Sequence, residues 1–172
     1  SLHEAIAIER KLLEPLLNAA DLVIDTSQMG VHELREQVHL RVEQRKHARL
    51  AVLVESFGFK HGIPGDADFV FDARSLPNPY WDSALRDLTG RDEPVIRFLE
   101  QAAGVESYIE DIARFLEPRF AEFRASNRSY LTIAVGCTGG RHRSVYIVER
   151  LAKRLSSQPH DIRTRHSGLQ RG

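Results

Sequence analysis

Apolar positions divide the chain into helical and strand-like segments. Ile6, Leu13, Leu16 and Leu17 are broadly consistent with one face of a helix from about Leu2 to Ala19. Asp21-Leu22-Val23-Ile24-Asp25 reads as a short buried strand, and Val31, Leu34 and Val38 mark a helix running to about Arg45. Leu50-Ala51-Val52-Leu53-Val54-Glu55-Ser56 opens on a continuous apolar run, which suits a central parallel strand covered on both faces. It ends at Phe57-Gly58-Phe59-Lys60-His61-Gly62-Ile63-Pro64, where two glycines and a proline stop regular structure. Phe69-Val70-Phe71-Asp72 is a second strand. It leads into residues Arg74 to Trp81, which Pro77 and Pro79 force into an extended course and where Trp81 is expected to pack. Val105, Tyr108, Ile109, Ile112, Phe115 and Leu116 predict a long amphipathic helix to about Phe123. Tyr130 to Val135 is a third strand, and Val145, Val148, Leu151 and Leu155 fall on one helical face. Asp161 to Arg165 is a final short strand.

Strands that alternate with helices predict an α/β fold with a mainly parallel sheet flanked by helices. The 172 residues leave room for one full domain and a fragment. The opening helix-strand-helix reads as the tail of an α/β domain that begins upstream. No apolar run approaches the roughly 18 residues of a membrane span, and with no charged-then-apolar leader in view the expected location is cytoplasmic. The single cysteine, Cys137, cannot form an internal disulfide, which fits a reducing compartment. Net charge is zero, yet from Ser126 onward nine Lys and Arg face only Glu149 and Asp161, leaving +7 there and −7 before it. A basic end on a neutral chain is a phosphate-binding face or a solvated helix surface.

The chemistry concentrates in Gly136-Cys137-Thr138-Gly139-Gly140-Arg141-His142-Arg143-Ser144, between a strand and a helix. There the unpaired amides of the helix's first turn and its positive dipole end attract anions. Gly139 and Gly140 allow close backbone approach, Thr138 and Ser144 offer hydroxyls, Arg143 is expected to clamp phosphate with two parallel bonds, and His142 to add charge. The nucleotide pattern G-x-x-x-x-G-K-[ST] is absent. Cys137 to Arg143 followed by Ser144 also fits C-x5-R-S, the loop of cysteine-dependent phosphatases. Gly136 stands where that family usually has His, and no aspartate is assignable as the acid.

Four further motifs accompany the loop: Glu55-Ser56-Phe57-Gly58-Phe59-Lys60, Asp72-Ala73-Arg74-Ser75-Leu76-Pro77-Asn78-Pro79, Asn127-Arg128-Ser129-Tyr130-Leu131, and His142-Arg143-Ser144-Val145-Tyr146-Ile147. In this order they resemble the RapZ (YvcJ-type) RNase adapter family over essentially the whole chain. The resemblance implies that residues 1–46 are the end of an N-terminal P-loop domain, with ATP or GTP bound only by that domain and no cofactor in this chain. Residues 47–172 would be the C-terminal domain, shaped like a phosphofructokinase subdomain. It implies a non-catalytic, cytoplasmic, self-associating regulator that senses glucosamine-6-phosphate, binds small regulatory RNA and presents it to ribonuclease E. Cys137, Thr138, Gly139, Gly140, His142, Arg143 and Ser144, with Asn78 and Tyr80, would be the sugar-phosphate site. Lys60, Arg163, Arg165 and Arg171 would contact RNA. Tyr80 stands where enterobacterial members have His, and the dense Lys/Arg tail of those members is replaced by His166-Ser167-Gly168-Leu169-Gln170-Arg171-Gly172. Three readings remain: metabolite-sensing RNA adapter, cysteine phosphatase, and fragment of an ATP- or GTP-hydrolysing regulator.

Overall fold

The computed structural model describes residues 2–42, 50–126, 128, 130–156 and 161–169. Helices α1 (Leu2–Ala19) and α2 (Val31–Val42) precede strand β1 (Ala51–Gly58), then β2 (Phe69–Asp72), α3 (Glu93–Gln101), α4 (Val105–Ala125), β3 (Tyr130–Cys137), α5 (Arg143–Leu155) and β4 (Asp161–His166). All strand pairs are parallel, in the order β2-β3-β1-β4. The register aligns Gly58 of β1 with Cys137 of β3, and Asp72 of β2 with Gly136. Three strands therefore end level, and their carboxyl ends share one edge of the sheet, where ligands bind in open parallel sheets.

Side chains alternate across a strand. Val52 and Val54 of β1, with Leu131, Ile133 and Val135 of β3, enter one core with Val95 and Leu99 of α3, Ile112, Leu116 and Phe120 of α4, and Val148, Leu151 and Leu155 of α5. Burying each such side chain fully contributes about 1.5–3 kcal/mol. β3 is buried over its whole length, as expected of a strand between two others.

Three expectations change. Residues 21–25 form no strand, and Val23 is exposed. A strand needs a neighbour to pair its amides and carbonyls, and no described strand lies beside this segment. Asp25 Oδ1 instead accepts a bond from the Ser27 amide and turns the chain. α2 is described to Val42, and its expected end at Arg45 lies outside the described residues. The stretch 74–81 is not simply extended but carries 3-10 turns at Ala73–Ser75 and Pro79–Trp81, begun by the side chains of Asp72 and Asn78. Trp81 does not pack: it is 78% exposed. α3 was missing from the periodicity because it is nine residues long and carries Pro94 in its first turn. Among the described residues, no helix is long and apolar enough to cross a membrane.

Candidate functional site: a cationic cleft at the sheet edge

Where β3 ends, the chain reverses through residues 138–142 into α5. Gly140 has φ +74, and a Cβ there would stand 2.6 Å from the Gly58 nitrogen, so only glycine lets the loop lie against the end of β1. The Lys60 amide donates to the Thr138 carbonyl at 3.3 Å, tying the loop to the turn after β1. The Gly140 amide donates to Cys137 Sγ at 3.3 Å, and Ser144 Oγ lies 3.2 Å from the same sulfur.

A second wall comes from residues 80–90, which have no sequence periodicity. The Gly90 amide donates to the Arg141 carbonyl at 2.8 Å. Gly90 has no room for a side chain, since a Cβ would approach the His142 carbonyl oxygen to 2.2 Å. His142 lies 3.1 Å through Nε2 from the Leu85 carbonyl; a carbonyl only accepts, so Nε2 carries the proton. Arg141 Nη2 donates to the Asp87 carbonyl at 3.2 Å. Arg86 lies over the Tyr80 ring, 5.0 Å from its centroid, and its Nε donates to the Tyr80 carbonyl.

These walls enclose a cleft of about 550 Å³. Its lining includes Lys60, Arg86, Arg141 and Arg143, with Asp87 the one carboxylate among the described lining residues. Four cations against one carboxylate, beside the start of a 13-residue helix whose N-cap makes no side-chain bond, favour an anion.

Seven of the nine expected ligand residues line this cleft: Asn78, Tyr80, Cys137, Thr138, Gly139, His142 and Arg143. Gly140 and Ser144 do not. Gly140 packs on Gly58, and Ser144 is wholly buried beneath Cys137. Two roles are corrected. Arg143 is not a free fork, because Nη1 donates to the carbonyls of Arg74 (2.8 Å) and Leu76 (3.0 Å), and Nη2 approaches Thr138 Oγ1 at 3.4 Å. It holds the 74–76 segment against the loop and lends the cleft its charge. Nor is His142 a ready cation: burial pushes its pKa below the ordinary value, although bonds to backbone carbonyls oppose the shift. Asn78 also caps the turn that carries Tyr80, accepting from the Tyr80 amide at 3.4 Å.

The expected RNA contacts among the described residues line different cavities. Lys60 lines the cleft. Arg163 is exposed beside Asp161 at 3.6 Å. Arg165 is 11% exposed and bound through Nε and Nη2 to Glu55, so it is an internal ion-pair partner rather than a surface contact. Arg171 lies outside the described residues. Sequence reasoning missed Arg86, Asp87, Arg141 and Trp81 as lining residues. The only signal for Arg141 was its place inside the glycine loop.

Residues 50–170 match the family model of the RapZ C-terminal domain, and residues 1–46 that of the RapZ-like N-terminal domain. A nucleotide-binding protein of Hahella chejuensis is 51% identical over 98% of this chain and 59% of its own length. Another nucleotide-binding protein, of Cellvibrio japonicus, is 52% identical over 98% of this chain and 57% of its own. The RNase adapter protein RapZ of Yersinia pseudotuberculosis is 50% identical over 99% of this chain and 60% of its own. The chain thus spans less than two thirds of the length of these curated relatives. The match to both domain models, together with half-identity along nearly the whole chain, places it in the RapZ family.

Proposed function

We propose that this chain is the ligand-sensing, RNA-binding part of an RNase adapter, and that its cleft takes an amino-sugar phosphate, glucosamine-6-phosphate. The observation that carries the reading is the convergence of Lys60, Arg86, Arg141 and Arg143 on one cleft at the carboxyl ends of parallel strands. A phosphate there meets the first-turn amides of α5 and the Lys60 ammonium, while Tyr80 and Asn78 stand where sugar hydroxyls need partners. The name of the Yersinia relative, an RNase adapter protein, supports small regulatory RNA and ribonuclease E as the partners that a ligand-loaded domain would serve. ATP or GTP binding belongs to a P-loop domain outside this sequence, since the phosphate-loop pattern is absent from it. Self-association and a cytoplasmic location complete the proposal.

Lys60→Ala is the cleanest test, because Lys60 contributes a cation to the cleft without anchoring a wall through its side chain. Calorimetry should show glucosamine-6-phosphate affinity reduced about tenfold or more, by the loss of a charge-assisted contact. An unchanged affinity removes the site assignment. For RNA, binding across a salt series should fall steeply, and a flat response excludes phosphate contacts.

One observation favours the phosphatase reading. The Gly140 amide and Ser144 hydroxyl both reach Cys137 Sγ, an arrangement that steadies a thiolate. Against it, the arginine that would grip phosphate already spends Nη1 on two carbonyls. Cys137→Ser separates the two readings: a phosphatase loses turnover of a phosphomonoester, whereas a binding cleft retains its ligand.

A further inference from the structure

Behind the cationic cleft, on the face of the sheet away from α5, lies a second cavity of about 330 Å³. Its walls come from both matched segments: Asp25, Ser27, Met29 and Glu33 from the N-terminal one, and the ends of β1 and β4 with the 61–66 loop from the other. Gly58 lines it and also supports Gly140 of the first cleft, so the two cavities stand back to back.

Glu55 sets its chemistry. This carboxylate is 0% exposed, on the fifth residue of β1, a strand with neighbours on both sides. Its Oε2 accepts Arg165 Nε at 2.8 Å and Nη2 at 2.6 Å, while Oε1 has no hydrogen-bond partner. A buried acceptor without a donor is costly, and a carboxylate oxygen has two lone pairs to fill. The neighbouring ions do not fill them. Arg165 gives Nε and Nη2 to Oε2 and lies 3.8 Å from Asp66 while its Nη1 has no hydrogen-bond partner, and Asp66 is paired with Arg41 at 2.9 Å. Those four charges cancel, which leaves Asp25 and Glu33 at the rim as an excess of two carboxylates. The rest of the lining is mixed, with Met29, Phe57, Ile63 and Pro64 beside Ser27, Gln28, His61 and Ser167.

We propose that this cavity binds a small aliphatic diamine. One ammonium donates to the unpartnered oxygen of Glu55, the methylene chain lies on Phe57 and Ile63, and the second ammonium sits between Asp25 and Glu33. An anion is disfavoured by the same carboxylates. A metal ion finds no cage, because no group of three or more His, Cys, Asp or Glu among the described residues is placed to hold one. An organic cation carries its own hydrogen-bond donors and tolerates carboxylates spread along a groove. This inference is independent of the sugar-phosphate reading and uses none of the cations of the first cleft.

Titration calorimetry of the chain with 1,4-diaminobutane at low ionic strength tests it. Saturable one-to-one binding is expected, with 1-aminobutane weaker by about tenfold for loss of one ammonium contact. Glu55→Gln should weaken the diamine by about tenfold or more, through loss of the buried charge. Because that change also releases Arg165, Glu33→Gln at the rim is the companion variant, expected to weaken binding a few-fold, about what an exposed ion pair contributes. Lys60→Ala, in the other cleft, should leave diamine binding unchanged, which keeps the two sites' fates distinguishable. The proposal is overturned if no saturable heat appears up to about 10 mM, or if the monoamine binds as well as the diamine. It also fails if Glu33→Gln and folded Glu55→Gln bind like the parent.

Discussion

α1 and α5 both carry apolar residues at helical spacing and meet opposite fates. In α5, Val145, Val148, Leu151 and Leu155 are all buried, against β1, β3 and α4. In α1, Ile6, Leu13, Leu16 and Leu17 are all exposed, Leu16 by 67%, and no residue of the helix is buried. The pattern of apolar residues states what a helix is able to bury; stabilisation comes only when another surface covers that face. α5 also starts at the cationic cleft and carries Glu149, which accepts from Arg91 at 2.7 Å and lies 3.0 Å from His166 Nε2. Its burial is thus what fixes the geometry of the site, whereas α1 buries none of its residues.

The largest consequence of this contrast falls on Leu151, 0% exposed at the centre of the α5 face. Leu151→Ala should lower the unfolding free energy by about 2–5 kcal/mol, the transfer and cavity cost of deleting a buried leucine. Urea unfolding followed by circular dichroism measures it. A loss below about 1 kcal/mol, the size typical of an average substitution, would mean that α5 is less tightly held than its packing indicates.

What the sequence made legible was local. α1, α2, α4 and α5 announced themselves by helical spacing, β1 by its apolar run, β2, β3 and β4 as short strand-like segments, and the glycine loop by its place between strand and helix. What stayed hidden depended on three-dimensional neighbours. Arg86 and Asp87 belong to a stretch with no period, brought to the cleft by the Gly90 bond to the loop. The carbonyls that occupy Arg143 come from residues 74 and 76, which no local rule links to position 143. Arg165 looked like a surface cation until Glu55, 110 positions away, accounted for it. Conversely, residues 21–25 have the composition of a strand and lack a strand to pair with.

A smaller effect sharpens the comparison through pH. His142 and His166 fasten the start and the flank of α5, and burial pushes both pKa values below the ordinary 6.5. At His166, Nε2 donates to Glu149 and Nδ1 lies 2.7 Å from Ser56 Oγ, inside the fold where burial disfavours the charged ring. The unfolded chain therefore takes up protons near pH 6.5 that the folded chain refuses until lower pH. This contribution to stability is fully present above pH 6.5 and is lost as the pH falls from there toward the folded values. Urea midpoints should drop between pH 7.5 and 5.5, by less than Leu151→Ala produces. His166→Gln should flatten part of that slope; an equally steep slope in the variant would place the titration elsewhere.

The smallest effect is expected at α1. Leu16 shows two thirds of its surface to solvent, so Leu16→Ser deletes little buried area and leaves no cavity. In this chain its unfolding free energy should change by no more than about 0.5 kcal/mol, the usual range for a surface substitution. Serine's poorer helix propensity already accounts for a few tenths of that. The same substitution pattern on α5 would be severe, and the ratio between the two helices is the measurement that matters. A loss above about 2 kcal/mol for Leu16→Ser, the size reserved for buried positions, would mean that α1 is covered in solution by a surface outside the described residues.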